Sequence, residues 1–103
     1  MANYVLIYHG GKMPESQEEG AAVMQAWNDW FAAIGGAVVD GGNPASKTRR
    51  IAPDGSVTDD ANGPSGYSVL KADSLDAAVE LAKGCPVLGG GSSIQVVETF
   101  EAM

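Results

Sequence analysis

Tyr67-Ser68-Val69-Leu70-Lys71-Ala72-Asp73-Ser74-Leu75-Asp76-Ala77-Ala78-Val79-Glu80-Leu81-Ala82 decides the fold, because its hydrophobic period changes partway along. Tyr67 to Ala72 has the aromatic and aliphatic content of a strand. From Leu75 the apolar positions are Leu75, Ala78, Val79 and Ala82, spaced i, i+3, i+4, i+7 as one face of a helix requires. Asp73 or Ser74 caps that helix, and Gly84 and Pro86 stop it. After a loop from Val87 to Ser92, the run Ser93-Ile94-Gln95-Val96-Val97-Glu98-Thr99-Phe100 reads as the last strand.

The same alternation appears at the other end of the chain. Tyr4-Val5-Leu6-Ile7-Tyr8 is a buried strand closed by Gly10-Gly11. Ser16 and Glu19 form a capping box, hydroxyl and carboxylate each taking a backbone N–H left unpaired by the first helical turn. Val23, Trp27, Trp30 and Ile34, flanked by Met24 and Phe31, then draw an apolar stripe wide enough to cover a sheet, so a helix is predicted over Ser16 to Ile34. Gly35-Gly36 ends it, and Ala37-Val38-Val39-Asp40 is a short second strand. From Gly41 to Gly66 turn formers dominate, among them Pro53-Asp54-Gly55 and Asp59-Asp60-Ala61-Asn62-Gly63-Pro64. Only Thr48-Arg49-Arg50-Ile51 and Ser56-Val57-Thr58 hint at extended pieces there.

The order β, α, β, irregular segment, β, α, β predicts a single α+β domain over residues 1–103. It is a ferredoxin-like βαββαβ two-layer sandwich, with both helices on one face of a mostly antiparallel sheet. Such a sandwich leaves the other sheet face bare. Both alternating sets of strand residues are apolar: Tyr4, Leu6 and Tyr8 against Val5 and Ile7, and Ile94 and Val96 against Val97. A solvated face would alternate with polar residues, so the bare face is expected to meet a second copy, making a homodimeric α/β barrel.

Composition narrows the partners. The 103 residues are 45% hydrophobic and 18% charged, as in folded chains, and the net charge of −7 repels phosphate backbones and anionic headgroups. Nucleic acid and membrane are therefore not expected as partners. The lone Cys85 cannot close an intramolecular disulfide or by itself build a zinc site, so no metal or cofactor is expected. Met1 to Tyr8 lacks the basic start of a signal peptide, and no run approaches the ~20 apolar residues that span a bilayer. The expected location is cytoplasmic.

The stretch Gly66-Tyr67 through Asp73-Ser74-Leu75-Asp76 to Pro86, with Tyr4 to Tyr8 and Gly91-Ser92-Ser93-Ile94-Gln95-Val96, resembles the YCII-related family. The resemblance implies a dimeric α/β barrel. In one branch of that family the site pairs a histidine on the first helix with an aspartate before the proline that follows the second. Here that helix has no histidine and Cys85 precedes Pro86. The Asp-Gly-Pro-Phe motif of a related branch is echoed by Asn62-Gly63-Pro64-Ser65, without the acid or the aromatic. No catalytic pair carries over by position.

Candidate chemistry therefore rests on the residues themselves. His9, the only histidine, ends the first strand beside two glycines that leave room for a ligand, and imidazole titrates near neutral pH as a general acid or base must. Its plain alternative is a solvated loop residue. Asp40 ends the second strand, also before two glycines, as a second catalytic candidate or a turn-initiating aspartate. The first and second strands run antiparallel or lie apart, so contact between the two is allowed and not required. Lys47, Arg49 and Arg50, half of the basic residues, form either an anion-binding rim or a solvated loop balancing Asp54, Asp59 and Asp60. Trp27, with Trp30, is a cleft wall or simply core. Cys85 follows a helix C-terminus, where the dipole disfavours a thiolate. Two functions follow. One is a barrel-end pocket for a small, anionic organic molecule, with cofactor-free proton transfer of the lyase or isomerase kind. The other is a non-catalytic dimeric module binding a metabolite or a protein.

Overall fold

The computed structural model describes residues 2–60 and 62–102, so Ala61 of the turn-forming run lies outside the described residues. In chain order the elements are β1 (Ala2–Gly10), α1 (Gln17–Ile34), β2 (Val38–Asp40), β3 (Arg49–Ile51), β4 (Val57–Asp59), β5 (Gly66–Ala72), α2 (Leu75–Ala82) and β6 (Ser92–Glu98). Single 3₁₀ turns occupy Gly35–Ala37 and Pro86–Gly90. The chain is thus α+β, with two helices and antiparallel sheets.

Four strands form one sheet in the order β2-β5-β1-β6, every neighbouring pair antiparallel. β1 lies inside it, Tyr4 opposite Leu70 on one side and Glu98 on the other. The two-residue period sorts its side chains: Tyr4, Leu6 and Tyr8 are buried, whereas Val5, Ile7 and His9 are only half-covered. Both helices pack on the buried set. Leu6, Tyr8 and Leu70 enclose Trp30 of α1 with Ala82 and Cys85, while Tyr4 and Ala72 take Ala78 of α2. The opposite face carries Val5, Ile7, Val69 and Val97, which the register lines up across β5, β1 and β6, and no helix among the described residues covers it.

The caps form from the residues that announce them. Ser16 Oγ accepts the Glu19 N–H at 3.1 Å, and the Glu19 carboxylate reaches back to the Glu15 N–H at 2.9 Å. Ser74, rather than Asp73, caps α2, its hydroxyl accepting the Ala77 N–H at 3.0 Å. β6 ends at Glu98 because Thr99 turns both its N–H and its hydroxyl to the Asn3 carbonyl.

Among the described residues β3 and β4 pair only with each other, Ile51 opposite Val57 and Arg49 opposite Asp59. Their turn is specified locally: Pro53 presets a bend, the Gly55 N–H bonds the Ala52 carbonyl at 2.8 Å, and Gly55 takes φ +89°. The chain, hairpin included, is thin, measuring 44 × 39 × 17 Å. The Cα radius of gyration is 15.1 Å, against about 13 Å for a compact domain of this length.

Candidate functional site

His9 sits one residue before the end of β1, opposite Ser93, where the sheet opens. Gly10 and Gly11, at φ +77° and +96°, swing the chain out of the sheet. A Cβ at Gly11 would overlap the Ser92 hydroxyl, which donates to the Gly10 carbonyl at 3.0 Å, so the bend requires glycine there. Beside this end of β1 two loop segments are stitched down. The Ser65 N–H donates to the Tyr8 carbonyl at 2.7 Å, and the Ala45 N–H to the Ser65 carbonyl at 2.9 Å. They enclose an open cleft of about 530 Å³ in which half-buried His9 faces Ser46, Asn62 and Ser65 across the two glycines. Among the described residues no side chain or backbone group hydrogen-bonds the imidazole.

A second open cleft, of about 400 Å³, shares Ser46 and Gly63 with the first and continues to the hairpin base, where Lys47 and Arg49 face Asp59 and Asp60. Arg49 lies 3.4 Å from the Asp59 carboxylate, and Arg50 grips one oxygen of Asp60 through Nη2 at 2.7 Å and Nε at 3.2 Å. The Asn62 N–H, and after it Arg50, hold the Asp60 carboxyl below the usual carboxylate range. Lys47 alone of the three basic residues has no ion-pair partner among the described residues.

Asp40 and Trp27 line neither cleft. β2 and β1 run parallel, each antiparallel to β5, which separates them, so Asp40 stands two strand spacings, roughly 10 Å, from β1. Its carboxylate accepts the Gly42 N–H at 2.8 Å, the geometry of a turn-initiating aspartate. Trp27 belongs to an aromatic cluster, its ring edge-on to Tyr8 at 5.6 Å and in contact with Trp30 and Phe31.

Beneath that cluster lies a polar chain that periodicity does not announce. The Tyr8 hydroxyl donates to Ser68 Oγ at 2.7 Å, and Ser68 donates to the Gly41 carbonyl at 2.8 Å. Ser68 is fully buried; a serine at an inward-facing position of an otherwise apolar strand is the one sequence signal for it. Burial pushes the Tyr8 hydroxyl well above its ordinary value, and burial likewise raises the Cys85 thiol beside it. Cys85 is therefore expected to resist a thiol reagent in the native protein and to react at once in denaturant. Native labelling as fast as denatured labelling would contradict this.

Asn62, Ser65 and Ser46 enter the cleft through loop hydrogen bonds, which leave no period in the sequence. Among the described residues no three His, Cys, Asp or Glu side chains gather as metal ligands, and no helix is long and apolar enough to cross a membrane. No family model matches the sequence, and no curated protein matches it.

Proposed function

We propose that the chain is a cytoplasmic YCII-related protein, ferredoxin-like in topology and paired as a dimeric α/β barrel, whose cleft at His9 binds a small anionic organic molecule. The strand order β2-β5-β1-β6 with both helices on one face supports the topology. The apolar, helix-free face of Val5, Ile7, Val69 and Val97 supports the pairing. So does the exposed area. The single chain exposes 7288 Å², where a compact monomer of its 10.5 kDa exposes about 5400 Å².

The observation that carries the binding reading is the unclaimed imidazole. His9 is half-buried among hydroxyl, amide and glycine backbone groups, with Lys47 on the adjoining wall, so its ring is left for a ligand. Bound there, an acidic organic molecule meets an imidazole, a side chain of the type that moves protons in lyase or isomerase chemistry without a cofactor. The non-catalytic module is the second reading, and the distance of Asp40 favours it: β5 keeps that carboxylate from orienting the His9 ring.

The test is NMR of the His9 ring during addition of acetate, succinate and inorganic phosphate. A saturating shift of the ring protons is expected for at least one of the three. His9→Gln should bind it at least ~10-fold more weakly with an unchanged melting temperature, since a half-exposed strand end contributes little to stability. No saturating shift with any of them overturns the reading; binding without proton exchange into the ligand selects the module.

A further inference from the structure

We infer that the β3–β4 hairpin is a dimerisation arm: in the homodimer the Ile51/Val57 pair of each chain packs against the second copy, and this contact fixes the outer wall of the His9 cleft. The inference rests on the pairing proposed above and assigns a surface that the bare sheet face does not include. Three observations carry it.

The first is the apolar pair itself. Ile51 and Val57 sit directly opposite each other and are 71% and 54% exposed, on a two-stranded ribbon that among the described residues joins no other sheet. Such a ribbon is marginal alone in water, yet this one is built with a fully specified turn and ion pairs at its base.

The second is area. The three long strands offer a bare face of roughly 14 by 23 Å, on the order of 330 Å² in projection. Even doubled for side-chain relief it falls short of the ~800 Å² per partner that a stable interface needs. The surplus exposure of roughly 1900 Å² over a compact monomer leaves most of that surplus outside the sheet, and two arms related by a two-fold axis add their area twice.

The third is charge, which lets a second copy approach the arm without net repulsion. From Lys47 to Asp60 three basic residues meet Asp54, Asp59 and Asp60, so the segment is neutral while the remainder of the chain carries the whole −7. Two arms meeting about a two-fold axis therefore bring neutral segments together and add none of either copy's −7 to the contact. The arm's base is also the cleft wall. Thr48 and Gly63 stand so close that a Cβ on Gly63 would overlap the threonine side chain, and Ser46 and Gly63 border both clefts. Holding the arm therefore holds that wall.

Sedimentation equilibrium over the micromolar range compares the wild type, Ile51→Thr with Val57→Thr, and Val69→Lys on the bare sheet face. The wild type is expected to dimerise, and the double threonine variant, which keeps β-branched side chains, to dissociate at least ~30-fold more readily with an unchanged far-UV spectrum. Should the double variant associate as tightly as the wild type while Val69→Lys falls apart, the arm is overturned and the barrel stands. A wild type that stays monomeric overturns both. A nitroxide on Ile51→Cys gives an independent reading in case the double variant misfolds, since buried Cys85 leaves the new thiol as the exposed one. Its spectrum should pass from mobile to immobilised as protein concentration rises; a spectrum independent of concentration overturns the arm.

Discussion

Gly42→Ala is expected to destabilise the protein by about 3 kcal/mol or more, seen as a fall in the urea midpoint at unchanged slope. Two costs combine at this position. Gly42 holds φ +78°, which an L side chain adopts with strain, and a Cβ built there would overlap the carbonyl oxygen of Tyr67. Neither backbone has room to yield. The Gly42 N–H is held by the Asp40 carboxylate, the next residue's carbonyl accepts the Tyr67 N–H at 3.3 Å, and Tyr67 is fixed opposite Ile7 in the sheet. Gly55→Ala separates the two costs. Its φ is +89° but open space surrounds it, so only the conformational cost, about 1–2 kcal/mol, remains. Equal losses for the two variants would mean that the chain leaving β2 moves away from β5 without penalty.

Trp30→Ala is expected to cost about 3–5 kcal/mol. Trp30 is the one buried residue of α1, and its ring sits against Phe31, Trp27 and the backbone at Gly84, where even a Cβ would approach the indole to 3.3 Å. Its indole N–H also donates to the Leu81 carbonyl at 3.1 Å, tying α1 to the end of α2. Trp30→Phe keeps most of the ring contact and drops that bond, so it should lose about 1–2 kcal/mol. Unfolding followed by circular dichroism, at fixed protein concentration because association shifts the midpoint, measures both. A phenylalanine variant as unstable as the alanine one would place the stabilisation in the hydrogen bond and not in packing.

The elements that a single period controls were legible in the sequence. α1 runs over Gln17–Ile34 with Ser16 as its cap because a capping box and the apolar stripe from Val23 to Ile34 agree. Even the hairpin was foreshadowed by Arg49-Arg50-Ile51 and Ser56-Val57-Thr58 around Pro53-Asp54-Gly55, since its turn chemistry is local. What could not be read was the pairing between distant segments. That β5 lies between β1 and β2, and so parts His9 from Asp40, depends on strand order, and no residue type records that order. The basic cluster had the same ambiguity. Arg49 pairs with Asp59 because the hairpin register sets them face to face, and Arg50, opposite Thr58, reaches along to Asp60, leaving Lys47 without an ion-pair partner among the described residues. Trp27 offered the same stripe spacing to a core or to a cleft wall, and the structure puts it against Tyr8.

The placing of β1 also governs how the protein is made. β1, made before its sheet partners, is flanked in the finished sheet by β5 and β6, with Tyr4 waiting for Leu70 and for Glu98. Loop-closure entropy over such separations is paid before any pairing rewards it, so one edge of β1 stays open until β5 (Gly66–Ala72) has been made and the other until β6 (Ser92–Glu98) has. During translation α1 can coil at once, but its aromatic stripe has no sheet to lie on, and the nascent chain carries an apolar strand with both edges free. A stop codon or a ribosomal stall before residue 92 removes β6 entirely. Truncated products of that kind should be cleared or should aggregate, whereas a circular permutant opened in the Ala52–Gly55 turn, beyond the central pairings, should fold as the parent does.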